Sequence, residues 1–145
     1  MFRSMTGVFA LVCVMGTSAD ACAQSSASQV KNFLSSRNWW LSNSTDANGI
    51  VMIFTEKNVG NGYYHGQYVA IQNGLNQWVL GFSWKPVTNG FKLKFTGQVR
   101  ELTFKIGGFH KANETLWLEQ NGSIAYWQST RSWLVPRSVS VNYRR

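Results

Sequence analysis

Few side chains in this 145-residue sequence could carry out acid–base chemistry or hold a metal. The two histidines, His65 and His110, lie far apart and have no neighbouring cysteine, so the close spacing of metal-ligating residues is missing. No glycine-rich phosphate loop and no nucleophile-elbow pattern occurs. After residue 23 the acidic residues are Asp46, Glu56, Glu101, Glu114 and Glu119. We therefore expect neither catalysis nor a metal or other cofactor.

Aromatic side chains are the abundant functional groups instead. The seven tryptophans are Trp39, Trp40, Trp78, Trp84, Trp117, Trp127 and Trp133. Tyr63, Tyr64 and Tyr68 lie close together in one apolar run. Large rings provide much contact area, and the indole N–H and phenol O–H keep a polar handle, so such residues suit ligand pockets. The same rings can also simply fill a small core, and both interpretations remain open from composition alone.

The first 23 residues have the pattern of a signal peptide. Met1-Phe2-Arg3 supplies a basic start, residues 8–15 an apolar run, and Ala21-Cys22-Ala23 a small-x-small cleavage site. The apolar run is too short to span a bilayer as a helix. We expect cleavage after Ala23, a secreted or periplasmic protein, an N-terminal segment over 24–36 with a short helix, and one domain over 37–145.

Charge and cysteine content refine this expectation. Cys13 and Cys22 both lie in the segment to be removed, so the remaining chain carries no thiol and no disulfide. The net charge is +8, and it stays +8 after cleavage because 1–23 holds one basic and one acidic residue, Arg3 and Asp20. A basic excess favours contact with anionic surfaces, whereas export argues against nucleic acid as a partner.

Five Asn-Gly pairs divide the apolar runs. Asn and Gly tolerate the positive φ that tight hairpin turns require, so each pair between apolar runs predicts a hairpin. The pairs begin at Asn48, Asn61, Asn73, Asn89 and Asn121. Together with the breaks near Arg100 and at Gly107-Gly108, they delimit eight predicted strands: 37–44, 50–57, 63–72, 77–85, 90–99, 101–106, 114–120 and 124–135.

Eight consecutive antiparallel strands predict an all-β, eight-stranded up-and-down meander barrel. The apolar phase changes within 91–106, because Phe91, Leu93 and Phe95 are odd-numbered whereas Phe104 and Ile106 are even. We interpret this as two strands, with one bulged strand and a seven-stranded sheet as the alternative. A two-sheet sandwich is a second alternative. Upstream, the spacing of Val30, Phe33 and Leu34 predicts a short helix that plugs one end.

Short motifs along the barrel resemble those of a known family. In order they are Gly66-Gln67-Tyr68, Ser83-Trp84-Lys85, Phe95-Thr96-Gly97-Gln98, Leu116-Trp117-Leu118, and Trp127-Gln128-Ser129-Thr130-Arg131. This order looks like that of the avidin and streptavidin family. The resemblance implies a secreted eight-stranded barrel, commonly tetrameric, that binds biotin in an aromatic-walled pocket.

The resemblance also implies the ligand-binding residues. They would be Tyr68, Trp84, Phe95, Trp117 and Trp127, with the polar Asn43 and Ser44 after the first-strand tryptophan. The family counterpart of Trp127 reaches into a neighbouring subunit, which implies a homo-oligomer.

Three positions depart from the family pattern. Ala70, Leu93 and Val135 stand where the family has polar residues. Each hydrogen-bonding group of a ligand left unpaired costs about 1–3 kcal/mol, so the changes predict weaker affinity for biotin.

A weaker resemblance is to small lipocalin-like domains, through Trp40 on the first strand and the late Leu116, Leu118, Gly122, Tyr126 and Trp127. That family binds varied apolar molecules. The leading prediction is an exported barrel that binds a small molecule, either biotin or another ring-bearing or apolar ligand.

The alternative is a basic module, of inhibitor or adhesin type, that binds a protein or polyanion with a filled barrel. It would use Lys92, Lys94, Arg137, Arg144 and Arg145. This alternative predicts salt-sensitive retention on polyanions, whereas the first predicts a pocket.

Overall fold

The computed structural model describes residues 24–41, 44–45 and 47–130. Within them the chain forms one helix and eight strands: α1 Ala27–Ser35, β1 Asn38–Leu41, β2 Gly49–Gly60, β3 Tyr63–Gln72, β4 Leu75–Val87, β5 Gly90–Phe95, β6 Leu102–His110, β7 Thr115–Gln120 and β8 Ser123–Thr130.

The strands follow one another around a closed barrel. Every sequence neighbour pairs antiparallel, and β8 closes the ring by pairing with β1, as in the contact of Trp39 with Ser129. Closure leaves no strand edge unpaired, which removes the main aggregation hazard of an open sheet. The predicted eight-stranded meander barrel is confirmed, and the two-sheet sandwich is wrong.

Three of the Asn-Gly pairs form two-residue hairpins. Asn61, Asn73 and Asn121 have φ values of 56°, 54° and 50°, and the glycine after each also has positive φ. Positive φ at both positions is the requirement of a type I′ turn, whose twist matches that of the flanking strands. Asn89 has φ 58° but precedes a glycine that already belongs to β5.

The first Asn-Gly pair does not form such a turn. Asn48 has no positive φ and lies in the longer β1–β2 connection. Its backbone oxygen accepts a hydrogen bond from the Thr45 N–H at 2.7 Å, and its side-chain oxygen accepts one from the Asn73 N–H at 3.1 Å. The prediction of a tight hairpin at Asn48-Gly49 is therefore wrong. Asn48 instead links the β1–β2 connection to the β3–β4 turn through these two hydrogen bonds.

The apolar phase change within 91–106 comes from two separate strands. Leu93 on β5 faces Leu102 on β6, and Phe91 faces Phe104, so odd positions of one strand and even positions of the other share the inner face. β5 ends at Phe95, short of the predicted 99, and Val99 lies 94% exposed in the connection. β6 extends to His110, since Gly107-Gly108 forms a bulge and not a break.

Helix α1 closes one end of the barrel, as predicted. Ser26 and Gln29 form a capping box at its start, and Val30, Phe33 and Leu34 are buried. These three residues join the interior cluster with Trp39, whose indole N–H donates to the Leu34 carbonyl oxygen at 3.1 Å. We call this the helix end. The distal end is the opposite one, where the connections between β1 and β2, β3 and β4, β5 and β6, and β7 and β8 lie.

Candidate ligand-binding site at the distal end

The central part of the barrel is filled by aromatic side chains. Phe54 on β2 lies at the middle of this group, and its ring centroid is 5.0 to 5.8 Å from the centroids of four other rings. Those rings belong to Phe82, Trp84, Phe91 and Trp127, all of which are buried. Edge-to-face and tilted contacts at these distances are typical of close core packing. The barrel thus uses its middle layers as a hydrophobic core.

Two predicted site residues, Trp84 and Trp127, lie in this core. Both contact Phe54, so the structure does bring them together. The indole N–H of Trp84 donates to the carbonyl oxygen of Thr55 at 3.1 Å, which commits its polar handle to the protein itself. Their part in binding a ligand stays a prediction, while their packing role is evident from the contacts.

The glycine of the Gly66-Gln67-Tyr68 motif has a packing role as well. Gly66 is on the inner face of β3 between Phe54 and Phe82, which pair with it from the two neighbouring strands. A β-carbon at Gly66 would overlap the Phe82 ring. The missing side chain makes room for an aromatic ring in the core.

Trp117 faces the other way. Its neighbours Leu116 and Leu118 both belong to the interior cluster, so the alternation of β7 places Trp117 on the outer face. There its indole lies against Gly107. Trp117 is therefore separated from Trp84 and Trp127 by the barrel wall.

The polar pair of the first connection is only partly described. Asn43 lies outside the described residues. Ser44 holds the β1–β2 connection in place, because its hydroxyl accepts from the Ile50 N–H at 3.0 Å and its own N–H donates to Leu41 at 2.8 Å. Ser44 lies at the distal end, and its part in binding a ligand stays a prediction.

Three aromatic residues form a cluster near the distal end, which we call the distal mouth: Tyr68, Trp78 and Phe95. The Tyr68 and Trp78 rings stack with a 5.5 Å centroid distance and a 19° interplanar angle. Phe95 meets Tyr68 edge-on at 5.5 Å and also contacts the core ring of Phe82 at 5.9 Å. Trp78 remains 49% exposed, so the cluster extends from the filled core to the solvent.

Trp78 is the site residue that sequence reasoning missed. It pairs with Ala70 on β3, two positions after Tyr68, and a bulge follows directly between Ala70 and Ile71. A usable signal was present, because Trp78 has the same parity as Phe82 and Trp84 on the inner face of β4.

The distal mouth is apolar apart from one hydroxyl. Burial raises the pKa of Tyr68 above its usual value, so the phenol is a neutral donor at physiological pH. Its hydroxyl has no hydrogen-bond partner among the described residues. A flat apolar surface with one free O–H group can hold a ring and orient one acceptor on it.

A basic strip lies on the outer face of β4, β5 and β6. Lys85 and Lys92 face each other on adjacent strands, and Lys94 follows on the same side. Glu101 offsets part of this charge, since a carboxylate oxygen lies 4.0 Å from the Lys92 ammonium. The same carboxylate accepts from the Tyr63 hydroxyl, and this hydrogen bond raises the pKa of Tyr63.

The described residues contain no group of three or more His, Cys, Asp or Glu side chains that could hold a metal ion. No helix in the described part of the chain has the length and apolar content to cross a membrane.

Comparison of the chain with known protein families, with curated proteins and with solved structures finds no match.

Proposed function

We propose that this protein binds a small, ring-bearing, largely apolar molecule at the distal mouth. The observation that carries the proposal is the half-exposed stack of Tyr68 on Trp78, with Phe95 edge-on beside it. Because the middle of the barrel is filled, a ligand ring would lie against this stack near the end of the barrel. It would not enter the centre.

The exposed indole supplies a driving force. A tryptophan buries about 150–250 Å² when it is covered, so covering the exposed half of Trp78 would remove about 100 Å² from water. At about 25 cal/mol per Å², that burial would contribute about 2.5 kcal/mol, before the matching burial on the ligand is counted. The Tyr68 hydroxyl would then select among ligands by donating to an acceptor on the ring.

Apolar ring ligands fit this mouth better than biotin does. Leu93, at a position where the avidin family has a polar group, is buried in the core next to Trp84 on the neighbouring strand. Ala70, a second departure, pairs with Trp78 and adds only a methyl group to the wall. A polar ureido ring would leave donors and acceptors unpaired here, at a cost of about 1–3 kcal/mol each.

Tryptophan fluorescence tests the proposal. Biotin and a panel of aromatic and alicyclic ligands are titrated into the protein, into Trp78→Leu and into the matched control Trp117→Leu. We expect an apolar ring compound to change the emission of the parent and of Trp117→Leu, with the change lost in Trp78→Leu. Binding that persists unchanged in Trp78→Leu, or no response to any ligand, would show that the distal mouth is not a ligand site.

Export is part of the proposal. Ser25 is held by two hydrogen bonds with Asn89, from its N–H to the side-chain oxygen at 2.6 Å and from the Asn89 N–H to its carbonyl oxygen at 2.8 Å. Cleavage after Ala23 would leave both contacts in place. Amino-terminal sequencing of protein recovered outside the cytoplasm should begin at Gln24, and any other start would contradict this cleavage site.

The basic strip supports a second candidate function, the binding of a polyanion. Lys85 and Lys92 repel each other across one strand spacing, and a bound anionic group would relieve that repulsion. We expect Lys85→Gln to elute from heparin at lower salt than the parent, and the control Lys57→Gln, which removes the same single charge from the exposed part of β2, to elute close to the parent. Equal shifts in both variants would indicate net charge alone.

A further inference from the structure

Trp117, which the distal mouth does not use, lies on the outer face of β7 beside an exposed tyrosine. Tyr126 is directly opposite on β8, and the bulged Gly107-Gly108 is opposite on β6. Trp127 faces the core, so alternation places Tyr126 and Ile124 on the outside. They are 46% and 49% exposed. We call this surface, formed by Trp117, Tyr126 and Ile124 over Gly107, the aromatic plate.

The indole of Trp117 lies with one face towards β6. A β-carbon built at Gly107 would be 3.5, 3.3 and 3.4 Å from three consecutive ring atoms, Cδ1, Nε1 and Cε2. Such similar distances mean that the contact is with the face of the ring, because an edge-on approach would leave one atom much closer than the other two. The missing side chain at Gly107 lets the indole lie over the strand. The other face of the ring is turned away from β6 and is the face that a ligand can cover.

Polar side chains lie on both sides of the aromatic plate along the strand direction. Lys105 and Glu119 face each other on β6 and β7, two residues from Trp117 in one direction. Thr115 and Gln128 face each other on β7 and β8, two residues away in the other direction. At about 3.4 Å per residue, each row is about 7 Å from the row of Trp117. None of these four polar side chains has a hydrogen bond or ion pair with another described residue.

The size of the aromatic plate favours a small ligand over a second protein. Stable protein interfaces bury about 800 Å² on each partner. Since a large aromatic side chain has about 150–250 Å² to bury, the exposed parts of Trp117, Tyr126 and Ile124 together amount to roughly 300 Å². The two rings also make no contact with each other in the described chain, so they provide two adjacent surfaces.

We propose that the aromatic plate binds a neutral oligosaccharide built from pyranose rings with equatorial hydroxyl groups. Such a ring has axial C–H bonds on both faces and hydroxyl groups around its rim. One C–H face would cover the free face of Trp117, and a neighbouring sugar would cover Tyr126. The rim hydroxyls both donate and accept hydrogen bonds, so they match a row in which Lys105 donates and Glu119 accepts.

The chemistry of the polar rows distinguishes a sugar from a hydrocarbon. A purely apolar ring would take water from these side chains without replacing the hydrogen bonds that are lost. The charges of Lys105 and Glu119 oppose each other, which favours a neutral ligand. The site is also separate from the distal mouth, because Tyr68, Trp78 and Phe95 belong to β3, β4 and β5.

Reciprocal titrations test the proposal in the full chain. Cellohexaose and N-acetylchitohexaose are titrated by calorimetry into the parent, Trp117→Leu and Trp78→Leu. We expect one or both sugars to bind the parent and Trp78→Leu alike, and to bind Trp117→Leu about tenfold more weakly, which is the loss expected for one aromatic contact. An apolar ring ligand of the distal mouth should show the opposite pattern, so failure at one site does not count against the other.

Gly107→Ala is a stricter variant, because it keeps every ring and every hydrogen-bonding group. Gly107 does not have positive φ, so alanine is compatible with the backbone. Its methyl group would press on the face of the indole, and tilting of the ring should weaken sugar binding about threefold. If Trp117→Leu loses cooperative urea unfolding, Tyr126→Leu replaces it, with an expected loss of about threefold.

The proposal would be overturned if neither sugar bound the parent, or if sugar affinity in Trp117→Leu or Gly107→Ala equalled that of the parent. An equal loss of sugar binding in Trp117→Leu and Trp78→Leu would also overturn it. Sedimentation velocity supplies one more decisive result. If the parent forms a dimer that Trp117→Leu abolishes, the aromatic plate is an interface between two copies and not a sugar site.

Discussion

The two ends of this barrel use similar aromatic residues in opposite ways. At the helix end, the Phe33 ring lies 5.1 Å from that of Phe109 and 5.4 Å from that of Trp39, and the guanidinium of Arg37 covers all three rings. At the distal mouth, Trp78 stacks on Tyr68 but stays half in solvent. An aromatic cluster is therefore a core element where a helix covers it and a candidate binding surface where nothing described does.

The two ends of the barrel also differ in the hydrogen bonds that their polar side chains form. Arg37 bonds to a Glu114 carboxylate oxygen at 2.9 Å, and the Ser129 hydroxyl donates to the same oxygen at 2.7 Å. Charged and hydroxyl groups there hold three elements in one arrangement. The hydroxyl of Tyr68 has no such partner in the described chain, which leaves it available to a ligand. Rigidity at one end and unused bonding capacity at the other suit a scaffold with one binding mouth.

The largest expected effect is on the core that separates the two ends. Phe54→Ala should lower the free energy of unfolding by about 3–5 kcal/mol, because it leaves a cavity among four buried rings. Trp78→Ala should cost about 2 kcal/mol, since only about half of the side chain, on the order of 100 Å², is buried. Urea unfolding measures both. Similar losses in the two variants would mean that the mouth is packed as tightly as the centre.

The helix end should be the next most sensitive. Arg37→Met removes the ion pair with Glu114 and the cation–π contacts with three rings, so we expect a loss of about 2 kcal/mol in the free energy of unfolding. Lys31→Met is the matched control, because Lys31 sits 5.2 Å from the Tyr64 ring in a similar contact without a described ion pair. It should cost about 0.5 kcal/mol. A larger loss for Lys31→Met than for Arg37→Met would contradict this account.

A smaller effect on stability and a clear one on selectivity should follow from Tyr68→Phe. The variant keeps the ring stacked on Trp78 and removes a hydroxyl without a described partner, so stability should change by less than about 0.5 kcal/mol. Ligands with an acceptor on the ring should bind about fivefold more weakly, whereas hydrocarbons should bind as before. Equal weakening of both ligand types, measured by titration, would show that the hydroxyl has no part in selection.

The smallest expected effect is a pH dependence from His65 on β3. Burial, and then the charge of Lys57, hold the pKa of His65 below its ordinary value of 6.5. The unfolded chain therefore takes up a proton before the folded one does. The stability associated with neutral His65 is complete above pH 6.5 and decreases as the pH falls towards the folded pKa. Urea unfolding from about pH 8 to about pH 5 should show this decrease in the parent, and a smaller one in His65→Gln.

Local patterns predicted most of the architecture. Asn-Gly pairs at 61, 73 and 121 marked the tight turns, because few residues other than Asn and Gly accept positive φ cheaply. Apolar residues move from odd to even positions between Phe91 and Phe104, and this change indicated two strands in place of one long strand. The capping residue Ser26 and the spacing of Val30 and Phe33 fit the helix. Each of these signals depends only on residues close together in the chain, so it can be recognised from the sequence alone.

The site was harder to predict, for reasons seen in single residues. Leu116, Trp117 and Leu118 are all apolar, so alternation alone does not tell which of them faces inward. Trp78 precedes no recognisable motif, and its place beside Tyr68 follows from strand pairing next to a bulge. A tryptophan fills the barrel or lines its mouth according to its position along the barrel axis. That position depends on the register of all eight strands together.

The sequence by itself determined the tight turns at Asn61, Asn73 and Asn121 and the short helix, because each arises from the backbone and side-chain preferences of neighbouring residues. Only the tertiary structure decided that Phe54 would bring four rings into one filled centre, that Tyr68 and Trp78 would meet at the distal end, and that the eight strands would close into a ring. These contacts join residues from different strands, and closure of the ring fixes which strands meet.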